Sequence, residues 1–127
     1  MLITPRTYGF QEVAYSSSSA YIVALRSIPG LTDRIMEKDW VLRRVEKVGF
    51  NADVIDDIIT CESGWRHEAT HLNKNGTKDI GLWQINDIHG LSVEDRMDIY
   101  KSTEFAIKLL NSKRGFNHWV CFRQLST

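Results

Sequence analysis

The sequence predicts a small, mostly helical α+β domain with one β-hairpin element, and three observations support this. The chain has 127 residues, of which 43% are hydrophobic and 25% charged, the size and composition of about one globular domain with its own core. Apolar residues recur at helical spacing in three stretches, at about 33–48, 52–63 and 102–114. The dipeptide Asn75-Gly76 gives the turn signal of a β-hairpin.

The first two predicted helices follow each other closely. Over 33–48 the apolar residues recur at steps of three to five, and Gly49 stands where a helix would end. Asn51 is suited to cap the next helix, 52–63, with Asp53 in its first turn. That helix carries an apolar stripe made of Val54, Ile55, Ile58 and Ile59.

The following segment is irregular and contains the hairpin. We expect its strands at 71–73 and 77–80, on either side of Asn75-Gly76. Ser92, with Asp95 three residues later, predicts a capped helical turn.

The last predicted helix, 102–114, would end at Gly115. The helical pattern begins near residue 33, so we separate an N-terminal segment of unknown role, 1–32, from a domain of 33–127.

Composition argues against several classes of function. Lys and Arg number 16, as do Asp and Glu, so the net charge is zero. Because the stretch 51–100 is acidic as well, we expect no nucleic-acid partner. No apolar run approaches the length of about 18 residues needed to span a membrane, and residues 1–30 lack the pattern of a signal peptide. We expect a monomer with no cofactor and no metal.

One acidic residue lies on the apolar face of the second helix. Glu62 follows Ile55, Ile58 and Ile59 at helical spacing, so its carboxyl would point toward the core. It also lies in the last turn, where the helix dipole disfavours negative charge, so burial and dipole would both raise its pKa. The alternatives are that Glu62 pairs with Arg66 or is exposed at a frayed helix end.

A second acid and two amides follow the hairpin. Asp79 is followed by Gly81-Leu82-Trp83-Gln84-Ile85-Asn86, which places Gln84 and Asn86 close behind it. Cleavage of a glycosidic bond requires one group to protonate the leaving oxygen and another to stabilise the cationic sugar, while amides hold the sugar. The alternative is a buried apolar turn in which the glutamine has no function.

Several blocks of the chain, in this order, resemble the lysozyme-like superfamily, and most closely the bacterial and phage lytic transglycosylases with C-type lysozyme features. They are Cys61-Glu62-Ser63-Gly64-Trp65, Asn73-Lys74-Asn75-Gly76-Thr77, Asp79-Ile80-Gly81-Leu82-Trp83-Gln84-Ile85-Asn86 with His89, and Gly115-Phe116-Asn117-His118-Trp119. The resemblance covers about 36–122 and implies that 33–127 is a lysozyme-like catalytic domain.

The resemblance also implies a function. The domain would cleave the β-1,4 bond between N-acetylmuramic acid and N-acetylglucosamine in peptidoglycan, with Glu62 as general acid and base and Asp79 as the second carboxylate. Gln84 and Asn86 match substrate-binding amides of the family, and Trp119, which we also expect at the substrate, matches the tryptophan that packs near the acid in C-type lysozymes. Hydrolysis and anhydro-forming transglycosylation both stay open, as does a non-catalytic peptidoglycan-binding module. We expect action at the bacterial cell wall, in a virion-associated, holin-released or larger exported protein.

The two cysteines leave one question open. The regions that the resemblance brings together contain Cys61 and Cys121, so a disulfide is one interpretation and two buried thiols are the other. The chain departs from C-type lysozymes in having two cysteines, whereas those proteins carry four disulfides.

A competing motif is His67-Glu68-Ala69-Thr70-His71, the H-E-x-x-H pattern of zinc metalloproteases. That chemistry requires a helix and a third ligand, for which Glu94 or His89 would be candidates. Gly64 and Asn73 lie so close on either side that there is little room for the helix, so we favour a polar loop.

Overall fold

The computed structural model of the protein describes residues 28–125. Its helices are α1 (Leu31–Lys47), α2 (Ala52–Ser63), α3 (Val93–Met97), α4 (Ile99–Leu110) and α5 (Val120–Leu125), and its strands are β1 (Thr70–Leu72), β2 (Lys78–Ile80) and β3 (Ile85–Asn86). Two 3₁₀ turns, Asp87–His89 and Gly115–His118, complete the order. The mostly helical α+β prediction is confirmed.

The chain divides into two units, residues 1–37 and 38–127, and the core and the site described below belong to the second. Most of the N-terminal segment 1–32 lies outside the described residues. Its separation from 33–127 stays a prediction.

Helix α2 occupies the span that the sequence predicts, because both of its ends are capped. The Asn51 side chain accepts hydrogen bonds from the backbone N–H groups of Asp53 and Val54. At the other end Gly64 adopts the left-handed conformation, with φ of 61°. The stripe faces inward, since Ile55, Ile58 and Ile59 are fully buried while Val54 is partly exposed.

The β-sheet has three antiparallel strands in the order β1-β2-β3. The hairpin around Asn75-Gly76 is confirmed, with Thr70 paired to Ile80 and Leu72 to Lys78. Strand β3 is an addition to the prediction. It has two residues, too few to show the alternation by which strands are recognised in a sequence.

Helix α3 begins after Ser92, whose side chain accepts from the Asp95 backbone N–H as predicted. The prediction for α4 was wrong by several residues at both ends, since the helix spans Ile99–Leu110 rather than 102–114. It starts earlier because Asp98 caps it through the Lys101 N–H. Its helical conformation ends before Gly115, which instead begins a 3₁₀ turn.

The core is centred on Trp83, which is fully buried and donates from Nε1 to Thr103 Oγ1 at 3.0 Å. Arg96 is also buried, and its guanidinium bonds Ile85 O at 2.9 Å and Asp87 at 2.9 Å. Arg96 therefore ties α3 to β3. Among the described residues, no helix combines the length and apolar character required to cross a bilayer.

Candidate active site

A cleft of about 480 Å³ lies between the β-sheet and the C-terminal segment. All five predicted site residues line it: Glu62, Asp79, Gln84, Asn86 and Trp119. The structure therefore brings together side chains from α2, β2, β3 and the segment before α5.

Glu62 lies in the last turn of α2 with its carboxyl half-buried. Its Oε2 accepts a hydrogen bond from the Cys121 backbone N–H at 3.1 Å. Burial raises the pKa of Glu62 above its usual range, and the negative charge of Asp79 adds to the rise, while the Cys121 bond and the charge of Arg123 oppose it. Across the described part of the chain, no ion pair joins Glu62 to Arg66, so that alternative is not realised.

Asp79 is fixed by two amide side chains. Its Oδ2 accepts from Asn73 Nδ2 at 3.0 Å, and its Oδ1 accepts from Asn86 Nδ2 at 2.6 Å. Asp79 and Asn86 are direct cross-strand partners in the β2–β3 pair. The short strand β3 is thus what places an amide against this carboxylate.

The amide of Asn86 is almost fully engaged within the protein. Its Nδ2 also donates to Thr77 Oγ1 at 3.0 Å, and its Oδ1 accepts from the Ile88 backbone N–H at 3.0 Å. A primary amide has two N–H donors, and here both are bonded to protein atoms. Asn86 therefore links Asp79 to Thr77 and to the start of the 3₁₀ turn.

The Gln84 side chain is also partly committed to the protein. Its Nε2 donates to the carbonyls of Ala69 at 3.1 Å and Gly81 at 2.9 Å. The backbone of Gln84 has a φ of 50°, which is uncommon for a residue other than glycine. The two bonds hold this turn, and among residues 28–125 no hydrogen bond engages the amide oxygen of Gln84.

Trp119 forms part of the cleft wall but is only 3% exposed. Its Nε1 donates to Trp83 O at 2.7 Å, and the two indole rings lie 5.6 Å apart. Trp119 thus anchors the C-terminal segment to the core, two residues before the amide that bonds Glu62.

Several other residues of the cleft had no predicted role in glycan cleavage, although the sequence made His89 a candidate zinc ligand. Asn73 was noted within the hairpin block, but nothing in the sequence indicated that it bonds Asp79. The rings of His89 and His118 lie 5.7 Å apart at the cleft. Burial lowers the pKa of both histidines, and the positive charge of Arg114 lowers it further.

The H-E-x-x-H motif does not form a helix. His67 lies in a turn, where its ring contacts Glu68 at 3.2 Å, and His71 lies in β1. The two imidazoles therefore do not share the helical face that zinc metalloproteases use. The chain is folded as a polar loop and strand here, which removes the structural basis for the zinc metalloprotease alternative.

The two cysteines are bonded. Cys61 and Cys121 form a disulfide with their Cα atoms 6.0 Å apart, 60 residues apart in sequence. The alternative of two buried thiols is therefore wrong. The bond joins the last turn of α2 to the first turn of α5.

Comparison with known proteins supports a family assignment. Residues 41–121 match the family model of the transglycosylase SLT domain. The chain is 34% identical over 74 residues to Protein IpgF of Shigella flexneri, and likewise to Protein IpgF of Shigella sonnei, with 52% of this chain and 49% of each relative covered. It thus spans about half the length of the curated relatives it matches.

A solved structure supports the fold. A lysozyme from Litopenaeus vannamei superposes with a TM-score of 0.51 at 21% identity, covering 57% of this chain and 69% of that one. The fold is lysozyme-like, and the chain belongs to the transglycosylase SLT domain family.

Proposed function

We propose that this domain is a peptidoglycan glycosidase that cleaves the β-1,4 bond between N-acetylmuramic acid and N-acetylglucosamine. The observation that carries the proposal is the pairing of a half-buried acid, Glu62, with a second carboxylate, Asp79, in one cleft. The family assignment supports the same substrate class. Because that substrate forms the bacterial cell wall, the domain would act there.

Glu62 is the general acid. A general acid must be protonated at the working pH, and burial raises the pKa of Glu62 in that direction. The acid gives its proton to the glycosidic oxygen as the bond breaks. It then serves as the base that takes a proton from the attacking hydroxyl.

Asp79 stabilises the cationic sugar that forms when the leaving group departs. Its two oxygens are held by Asn73 and Asn86, so the carboxylate needs little reorganisation as charge develops. Asn86 acts as a positioning residue for Asp79. We assign substrate contact to the amide oxygen of Gln84, and Trp119 supplies an apolar wall beside the acid.

The family favours transglycosylation as the second step. In that reaction a hydroxyl of the muramic acid itself attacks and leaves an anhydro end. Hydrolysis is the second candidate, and the fixed carboxylate of Asp79 favours it because lysozyme-type cleavage uses such a group.

Mass spectrometry of the soluble products from purified peptidoglycan tests the proposal. We expect muropeptides with anhydromuramic ends, whereas reducing ends would assign hydrolysis. Binding to the sacculus without any released glycan would refute the enzyme and support a binding module.

A further inference from the structure

We propose that the Cys61–Cys121 disulfide positions the acid of the cleft, so that glycan cleavage depends on the oxidation state of this bond. The inference rests on the proposed role of Glu62. It adds a redox requirement that the role itself does not include.

The disulfide and the hydrogen bond of the acid join the same two elements. Cys61 directly precedes Glu62 in the last turn of α2, and Cys121 is the second residue of α5. The backbone N–H that Glu62 accepts at 3.1 Å belongs to Cys121 itself. One residue therefore supplies both the covalent link to α2 and the donor that holds the carboxyl.

The donor is suited to this role because of its place in α5. The first N–H groups of a helix have no partner within the helix, so the Cys121 N–H is available to a side chain. Helix α5 has six residues, and helices this short are marginal without outside support. The disulfide is a direct support at its first turn, since it fixes that turn against α2.

Reduction would release this support. A dithiol attacks the bond as its thiolate, forms a mixed disulfide and then closes to its own cyclic disulfide. Two electrons and two protons pass to the protein, which is left with the thiols of Cys61 and Cys121. Because Cys61 is exposed and Cys121 buried, attack would occur at the Cys61 sulfur. The acid is then held in place in oxidising compartments and loosened where thiols stay reduced.

Steady-state kinetics on the intact chain test whether glycan cleavage depends on the disulfide. After treatment with dithiothreitol, and with two free thiols confirmed by titration, we expect kcat on solubilised glycan strands to fall by about tenfold to about a hundredfold. KM should stay nearly unchanged, because the polar cleft residues Asp79, Gln84 and Asn86 lie outside the two helices that the disulfide joins. The matched control is Cys61→Ala/Cys121→Ala, which should have the low kcat from the start and not respond to the dithiol.

An NMR titration tests the geometry without requiring activity. In the oxidised chain the Cys121 amide resonance should follow the ionisation of Glu62 as pH rises, because the two groups are hydrogen-bonded. In the reduced chain this pH dependence should be lost while the other amides stay dispersed. If glycan cleavage is absent altogether, the proposed function fails, and the titration still decides the positioning.

Three results would overturn the inference. One is full kcat with both thiols free. Another is a Cys121 amide that still follows Glu62 after reduction. The third is loss of all tertiary structure, in the reduced chain and in the double Ala variant alike, because the bond would then stabilise the fold as a whole and not position the acid.

Discussion

Replacing Gly81 by Ala should destabilise the domain strongly, because two independent costs meet at this residue. Gly81 has a φ of 88°, a region that L side chains avoid at a cost of about 1–2 kcal/mol. An added Cβ would also lie 1.9 Å from the Arg96 carbonyl oxygen and 2.8 Å from its carbon. Those atoms are backbone, so a segment must move, and overpacking of this kind costs about 1–3 kcal/mol.

The sum is a loss of about 2–5 kcal/mol in the free energy of unfolding, against a total of about 5–15 kcal/mol for a small domain. Urea denaturation followed by circular dichroism measures this loss. Activity should fall too, since the guanidinium of Arg96 bonds Ile85 O beside Asn86.

Gly76→Ala is the matched control. Gly76 has the same φ of 88°, but nothing lies within 4 Å of its added Cβ. The free energy of unfolding of Gly76→Ala should fall by only the conformational cost of about 1–2 kcal/mol. If Gly81→Ala is no less stable than Gly76→Ala, the close approach to Arg96 does not constrain this turn and the reasoning is refuted.

Three further predictions concern side chains of the cleft. Asn86→Ala removes a donor from Asp79 and should lower kcat by about tenfold to about a hundredfold, measured on solubilised glycan strands. Trp119→Phe leaves the buried Trp83 carbonyl without its donor and should lower the free energy of unfolding by about 2–4 kcal/mol in urea. Glu62→Gln should raise the Tm near neutral pH, with the gain vanishing near about pH 3 in calorimetry.

The sign of the last prediction follows from the raised pKa of Glu62. The protonated acid favours the folded state below its ordinary pKa, and this contribution is lost as pH rises through the raised pKa. A neutral glutamine avoids that loss. A Tm for the variant equal to or below that of the parent chain near neutral pH would mean that burial does not penalise the charged form.

Two matched variants control the other predictions. Asn73→Ala removes the second amide donor of Asp79 and should reduce kcat in the same way; full activity in both Asn variants would show that Asp79 needs no positioning. Trp65→Phe removes a partly buried hydrogen bond to Asp56, so it should lower the free energy of unfolding by less than Trp119→Phe does. Equal costs would contradict the account of Trp119.

Local chemistry explains which parts of the fold could be predicted from the sequence. Helix α2 was predicted with its observed bounds because its two capping residues, Asn51 and Gly64, directly flank it in the sequence. The hairpin at Asn75-Gly76 was recognised for the same reason. The end of α4 was not predicted correctly. Gly115 is a typical residue at a helix end, but the helix ends five residues earlier, at Leu110.

The parts of the site that depend on long-range pairing were not predictable. Glu62 stood out because an acid on an apolar stripe is a local anomaly. The bond from Asn86 to Asp79 depends on the register between β2 and β3. A strand of two residues is too short for its sequence to indicate that register. The Cys121 N–H that bonds Glu62 is a backbone group 59 residues away, and every residue other than proline has such a group, so the sequence does not indicate this bond.

The most direct test of the central claim compares the release of glycan products by Glu62→Gln and Glu68→Gln. Glu68 is an exposed acid outside the cleft, so its variant controls for the loss of one carboxylate. We predict that Glu68→Gln keeps the parent rate while Glu62→Gln, still folded, loses about a hundredfold or more. Equal rates in the two variants would contradict the assignment of Glu62 as the catalytic acid.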